Sequence, residues 1–99
     1  MNDFILNGVN SYLGITDDEA DVIEGRLNGA VSIALGTGIK LLGFTPNVTD
    51  EAINRLSNYV NSRVFIELYG DTLTTGILNY HLSRVSELEE QLRYTSKGV

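Results

Sequence analysis

The chain has 99 residues, 42% apolar and 20% charged, with one proline, no cysteine and a formal net charge of −6. That length holds one domain (1–99) around one shared core, and the lack of cysteine excludes disulfides and thiolate metal ligands. No apolar run approaches bilayer length and no basic leader opens the chain, so a soluble intracellular protein without membrane contact is expected.

Residues 3–13 predict a short helix with Asp3 as a candidate cap and Ile5, Val9, Tyr12 and Leu13 on one face. Gly8 and Asn10 weaken it, and Gly14 stops it. Residues 15–35 carry the strongest signal. Thr16 is set to cap the helix by accepting from the Glu19 amide, Glu19 to reach back to the Thr16 amide, and Ile15 to staple onto Ala20. Ala20, Ile23, Leu27, Ala30, Val31, Ala34 and Leu35 then recur at helical spacing as a buried stripe. Asp17, Asp18, Glu19, Asp21 and Glu24 crowd the first turns, where the helix dipole favours each by about 0.3–1 kcal/mol. Helix-start chemistry is the simpler explanation of that acid. Five carboxylates so close also repel one another, which makes them a candidate lumen or partner patch.

The helix is expected to end near Gly36, leaving 36–48 as a long apolar loop punctuated by three glycines and Pro46. Its Ile39, Leu41, Leu42 and Phe44 either cap the core or await a neighbour. Thr49 or Asp50 caps a helix over 50–69, with Ala52, Ile53, Leu56, Tyr59, Val60, Val64 and Leu68 on its buried stripe and a Glu51–Arg55 ion pair. Phe65 and Ile66 widen the apolar band, which predicts contact on two sides, and Gly70 ends the helix. Asp71 or Thr72 caps a last helix over 73–93, with Ile77, Leu78, His81, Leu82, Val85, Leu88 and Leu92 along one face and a Glu89–Arg93 pair. The tail 94–99 has no periodicity and is expected to be flexible. The fold class is therefore all-α: a small bundle of one short and three longer helices, with the long apolar loop between the second and third.

Chemical motifs fail one by one. Gly36-Thr-Gly38 has Leu41 where a dinucleotide fingerprint needs its third glycine, and no strand precedes it. No phosphate loop exists. Asp17, Glu19 and Asp21 alternate as in a calcium loop, but Val22 holds the position that needs glycine. His81 is the single histidine and reads as packing, and Ser11, Ser32 and Ser57 lack a nucleophile context. The five tyrosines fit half-buried positions. No catalytic, cofactor or metal residues are assigned, and no enzyme is expected. All the net charge precedes Arg26, and two lysines with five arginines are too scattered for sequence-specific nucleic-acid binding.

The order of features carries a resemblance. A short helix ends in Ser11-Tyr12-Leu13-Gly14-Ile15, followed by Thr16-Asp-Asp-Glu-Ala-Asp-Val-Ile and a helix running into Gly36-Thr-Gly38. Ala52-Ile53-Asn-Arg-Leu56, Tyr59-Val-Asn-Ser-Arg63 and a closing Gln91-Leu92-Arg93 follow. This resembles the small head-tail connector, or adaptor, proteins of tailed bacteriophages, over nearly the whole chain. Gly38-Ile39-Lys40 departs from relatives that often place Arg after the glycine. The resemblance implies a homo-oligomeric ring beneath the portal protein, in the virion neck and assembled in the host bacterial cytoplasm. Such a ring lengthens the DNA channel, with DNA only passing through the lumen, and docks a tail or stopper protein. It implies a portal-docking segment of Leu92, Arg93, Tyr94 and Lys97.

A ring of identical contacts needs two unlike faces. The expected subunit interface is Ile39, Leu41, Leu42 and Phe44 with Phe65 and Ile66. The competing expectation is a small acidic regulatory module that binds a single protein partner and does not self-assemble.

Overall fold

The computed structural model describes residues 2–95, the side chains of Asp17 and Ala20 excepted. Four α-helices occur in order: α1 (Asn2–Leu13), α2 (Asp17–Leu42), α3 (Glu51–Tyr69) and α4 (Thr75–Arg93), with a 3-10 turn at Gly70–Thr72 between the last two. Among the described residues there is no strand, as the fold class requires. The molecule is a slab of 37 × 31 × 18 Å, its thin dimension less than two helix diameters. α3 is the central helix and packs against α2, α4 and α1.

The stripe of α3 is the middle of the core: Ala52, Ile53, Leu56, Tyr59, Val60, Val64 and Leu68 are all buried. Leu27, Ala30, Val31, Ala34 and Leu35 of α2 meet it, with Ile5 and Val9 of α1 and Val85, Leu88 and Leu92 of α4. Tyr12, read as part of the inner face of α1, is instead half exposed, and Asp3 lies inside the first turn of that helix rather than before it.

Local chemistry explains the helix ends. Thr16 Oγ1 accepts from the Glu19 amide at 3.2 Å, as the capping pattern requires. Gly14 stops α1 at φ 68°, a left-handed conformation that a Cβ disfavours. At the start of α3, Asp50 is the N-cap residue, but its Oδ2 accepts from the Asn47 amide at 3.0 Å and closes the preceding turn.

Two boundaries differ from the sequence reading. α2 does not end near Gly36; it continues to Leu42 and stops at Gly43, whose φ is 81° and whose amide donates to Ile39 O at 2.9 Å. The connection is therefore the short segment 43–50 rather than a long apolar loop. The reason is tertiary: beyond Leu35, Gly38 and Leu42 are buried too and carry the stripe on by about one turn each. Gly38 is a contact glycine, since a Cβ there would press into Leu56 Cδ1 and stand 3.2 Å from Tyr59 Cδ2. α4 is capped by Thr74, whose Oγ1 accepts from the Ile77 amide at 3.4 Å, not by Asp71 or Thr72. Thr72 uses its hydroxyl to donate to Tyr69 O at 2.7 Å, which closes the 3-10 turn.

Candidate functional site

The extended α2 removes Leu42 from the expected subunit interface. Leu42 is buried in the core, and Ile39, Leu41, Phe44 and Ile66 are half-buried against it. Leu42 is thereby satisfied within one chain, while Ile39, Leu41, Phe44 and Ile66 pack on the core and keep part of their surface open. Phe65 is half-buried in an aromatic row, with its ring 4.7 Å from His81 and 5.6 Å from Tyr69. His81 also meets the edge of Tyr80 at 5.3 Å, so the single histidine packs, as its isolation in the sequence suggested.

The expected docking segment divides in the same way. Leu92 is fully buried and belongs to the core, whereas Tyr94 is 81% exposed. Arg93 is exposed and pairs with Glu90 at 3.5 Å, not with Glu89. Lys97 lies outside the described residues. The end of α4 is tied down: Thr95 Oγ1 donates to Gln91 O at 2.6 Å and accepts from Arg55 Nη1 at 2.9 Å. Arg55 thereby serves Thr95, and the expected ion pair with Glu51 is absent among the described pairs.

Asp18, Glu19, Asp21 and Glu24 are exposed at the start of α2, while the side chain of Asp17 lies outside the described residues. The base that follows them is occupied elsewhere. Arg26 Nη2 donates to Glu67 O at 3.2 Å and to Leu68 O at 3.4 Å, where the end of α3 leaves carbonyls without helical partners. A guanidinium at that negative dipole end ties the two long helices together.

Tyr59 is the one tyrosine wholly inside. Its hydroxyl donates to Glu89 Oε2 at 3.4 Å, which explains why Glu89 does not pair with Arg93. Burial pushes the Tyr59 phenol above its ordinary value of 10.0, and the neighbouring Glu89 adds to that while Arg63 opposes it. Tyr12 is half exposed and Tyr69 half-buried, whereas Tyr80 and Tyr94 are exposed, so half-burial was the wrong expectation for three of the five.

The surface features that the sequence reading missed lie elsewhere. On α2, Val22 is 85% and Ile33 69% exposed, Ile33 at the rim that α2 shares with α3 and α4. On α4, Ile77, Tyr80 and Leu82 are exposed although the first and last were read as buried face. The flanks of α4 border two shallow hollows. One, of about 190 Å³, lies between α2, α3 and α4 and is lined by Ile33, Arg63, Ile66 and Leu82 among others. The other, of about 200 Å³, is lined by Tyr12, Asn61, Tyr80, His81 and Arg84 among others. Exposure of large apolar groups was the available signal, and it needs to be known which helices flank α4 before it can be read.

Among the described residues no group of three His, Asp or Glu side chains is placed to hold a metal, and no helix is long and apolar enough to cross a membrane. No protein-family model matches the chain, and neither a curated protein nor a solved structure does.

Proposed function

We propose that the protein is a structural ring subunit of a tailed-bacteriophage virion, seated beneath the portal in the neck, where it extends the DNA channel and docks a tail or stopper protein. The observation that carries this reading is the ordered set of sequence features from Ser11 to Arg93, which resembles the head-tail connectors across nearly the whole chain. A compact all-α subunit supports it. So does the distribution of apolar side chains. The core closes within one chain, and large apolar groups still stand on two unlike surfaces, the outer side of α2 and the flank of α4. Two unlike surfaces are what a head-to-tail closed ring uses, whereas a two-fold dimer uses one.

In this role the protein acts by shape and charge and carries out no reaction. The exposed carboxylates Asp21 and Glu24 in the first turns of α2 suit a position near DNA that must slide, since like charges keep the polyanion from adhering. Portal docking falls to Arg93 and Tyr94 at the end of α4.

The test is the mass of the purified protein by light scattering over a wide concentration range, followed by electron microscopy and by mixing with the portal protein from the same genome. A discrete large oligomer visible as rings, alone or on the portal, is expected. A protein that stays monomeric in both settings refutes the connector role and leaves the single-partner regulatory module.

A further inference from the structure

The outer face of α2 is unusually smooth. Val22, Gly29, Ile33 and Gly36 fall on one side of the helix, with Gly25 at its edge, and a Cβ added at any of the three glycines would meet nothing. Each costs the helix about 1 kcal/mol relative to alanine. Gly38 has a reason within the chain, the close approach of Leu56 and Tyr59, and these three have none. Glycine alone would mean little, but here it alternates with the two most exposed aliphatic side chains of the helix, Val22 and Ile33. One turn before Val22 stand the exposed carboxylates Asp18 and Glu19.

The flank of α4 carries the complement. Ile77 and Tyr80, the latter 67% exposed, project from the same side as Arg84. The hollow beside them is lined by Arg84, His81 and side-chain amides, with no carboxylate. Arg84 is held only by a long, exposed pair to Glu87 at 3.7 Å, a contact of little strength in water. Aromatic and aliphatic bulk with a cation therefore stands on one surface, and glycines, two aliphatic side chains and anions on the other.

We infer that the α2 face of one copy of this chain receives the α4 flank of a second copy, head to tail, with Arg84 against Asp18 and Glu19. The register follows from helix geometry. In an antiparallel crossing, Arg84 opposite Asp18 puts Tyr80 opposite Val22 and Ile77 opposite Gly25, because both series advance by four and then three residues along helices of equal rise. The exposed glycine at position 25, with Gly29 one turn on, lets the second helix approach closely where Tyr80 and Ile77 lie. Each copy keeps one free α2 face and one free α4 flank, so the contact propagates. The inference rests on the ring reading and names its interface.

Because the chain has no cysteine, the contact is testable by disulfide trapping. Val22→Cys and Tyr80→Cys proteins, mixed and oxidised, should give a dimer joined between the two variants, and the double variant should give a ladder of multimers. Asn54→Cys, at an exposed position on α3, sets the background of random collision. Arg84→Glu or Asp18→Arg added to the double variant should reduce the ladder to that background, and both together should restore it, which a folding defect would not do. Trapping no better than the Asn54→Cys control, or a dominant Val22→Cys homodimer, overturns the inference. Wild-type rings without this cross-link overturn the interface and leave the ring reading standing; a wild-type protein that is monomeric both alone and with its portal overturns both.

Discussion

The same substitution at two glycines of α2 should act in opposite directions. Alanine in place of glycine in a helix interior gains about 0.8–1 kcal/mol in propensity. At Gly29 the new methyl meets nothing, so the whole gain should appear as added stability of the monomer. At Gly38 the methyl presses into Leu56 Cδ1 and comes within 3.2 Å of Tyr59 Cδ2. Both neighbours are fully buried, so any shift that makes room for the methyl has to be absorbed by the core. Overpacking of this kind costs about 1–3 kcal/mol, so Gly38→Ala should end up roughly neutral to about 2 kcal/mol less stable than wild type. The propensity gain cancels in the comparison of the two variants, and the gap between them is the overpacking itself. In a domain of this size it should separate their melting temperatures by at least about 4 °C. Urea and thermal unfolding, followed by far-ultraviolet circular dichroism at a concentration where the transition no longer depends on dilution, measures it. Equal stabilisation by both substitutions would mean that α2 and α3 do not approach closely at Gly38, and would return the end of α2 to Gly36.

Leu42→Ala and Leu92→Ala should each cost about 2–5 kcal/mol of unfolding free energy, because each empties a buried site; near-wild-type stability with weakened assembly would place that leucine at an interface after all. Tyr59→Phe should cost about 0.5–1 kcal/mol at neutral pH through its long hydrogen bond to Glu89. It should also change the alkaline limb of the stability curve. The Tyr59 phenol titrates above 10.0 in the folded chain, so its contribution is complete below the unfolded value and is lost as pH rises toward the folded one. The difference between wild type and Tyr59→Phe should therefore shrink above about pH 10, and a constant difference there would argue against a buried, proton-bearing phenol.

Where the sequence was legible, a single physical rule decided the outcome. The apolar stripe of α3 was readable because its periodicity is unbroken and neighbours cover both of its sides; buried Ser62, being polar, was not. The Thr16 cap was readable because Glu19 follows at the spacing the hydrogen bond needs. The end of α2 was not, since glycine has two uses that look alike in a sequence. Gly36 and Gly38 were read for conformational freedom, when Gly38 is there for the absence of a side chain and Gly43, a turn later, takes the left-handed conformation. The start of α4 failed for a similar reason: Thr72 and Thr74 are equally good caps, and only the 3-10 turn gives Thr72 its other partner.

The candidate surfaces were harder still. Periodicity states which face of α4 is apolar and is silent on whether any helix lies there to cover it, so Ile77 and Leu82 read the same as Val85 and Leu88. The error ran the other way for Ile39, Leu41 and Leu42. A stretch read as loop has no face to bury, and its apolar groups become surplus; once the stretch is helix, the same residues find the core. Changing one boundary by six residues thus turned those apolar groups from loop residues into residues of a helix packed on the core.

The end of α4 gives the proposed portal contact a particular character. The segment proposed to dock on the portal starts inside the fold: Leu92 is buried and Thr95 is held between Gln91 and Arg55 of a different helix, while 96–99 of the expected flexible tail lie outside the described residues. Arg93 and Tyr94 lie between those two anchors and are exposed. A docking group held in place before it binds avoids the ordering cost of about 0.5–1.5 kcal/mol per side chain that a free arm would incur. In a ring that saving recurs at every subunit. Cutting the Arg55–Thr95 link should therefore weaken portal binding in proportion to the number of subunits while leaving the buried stripe of α3 intact.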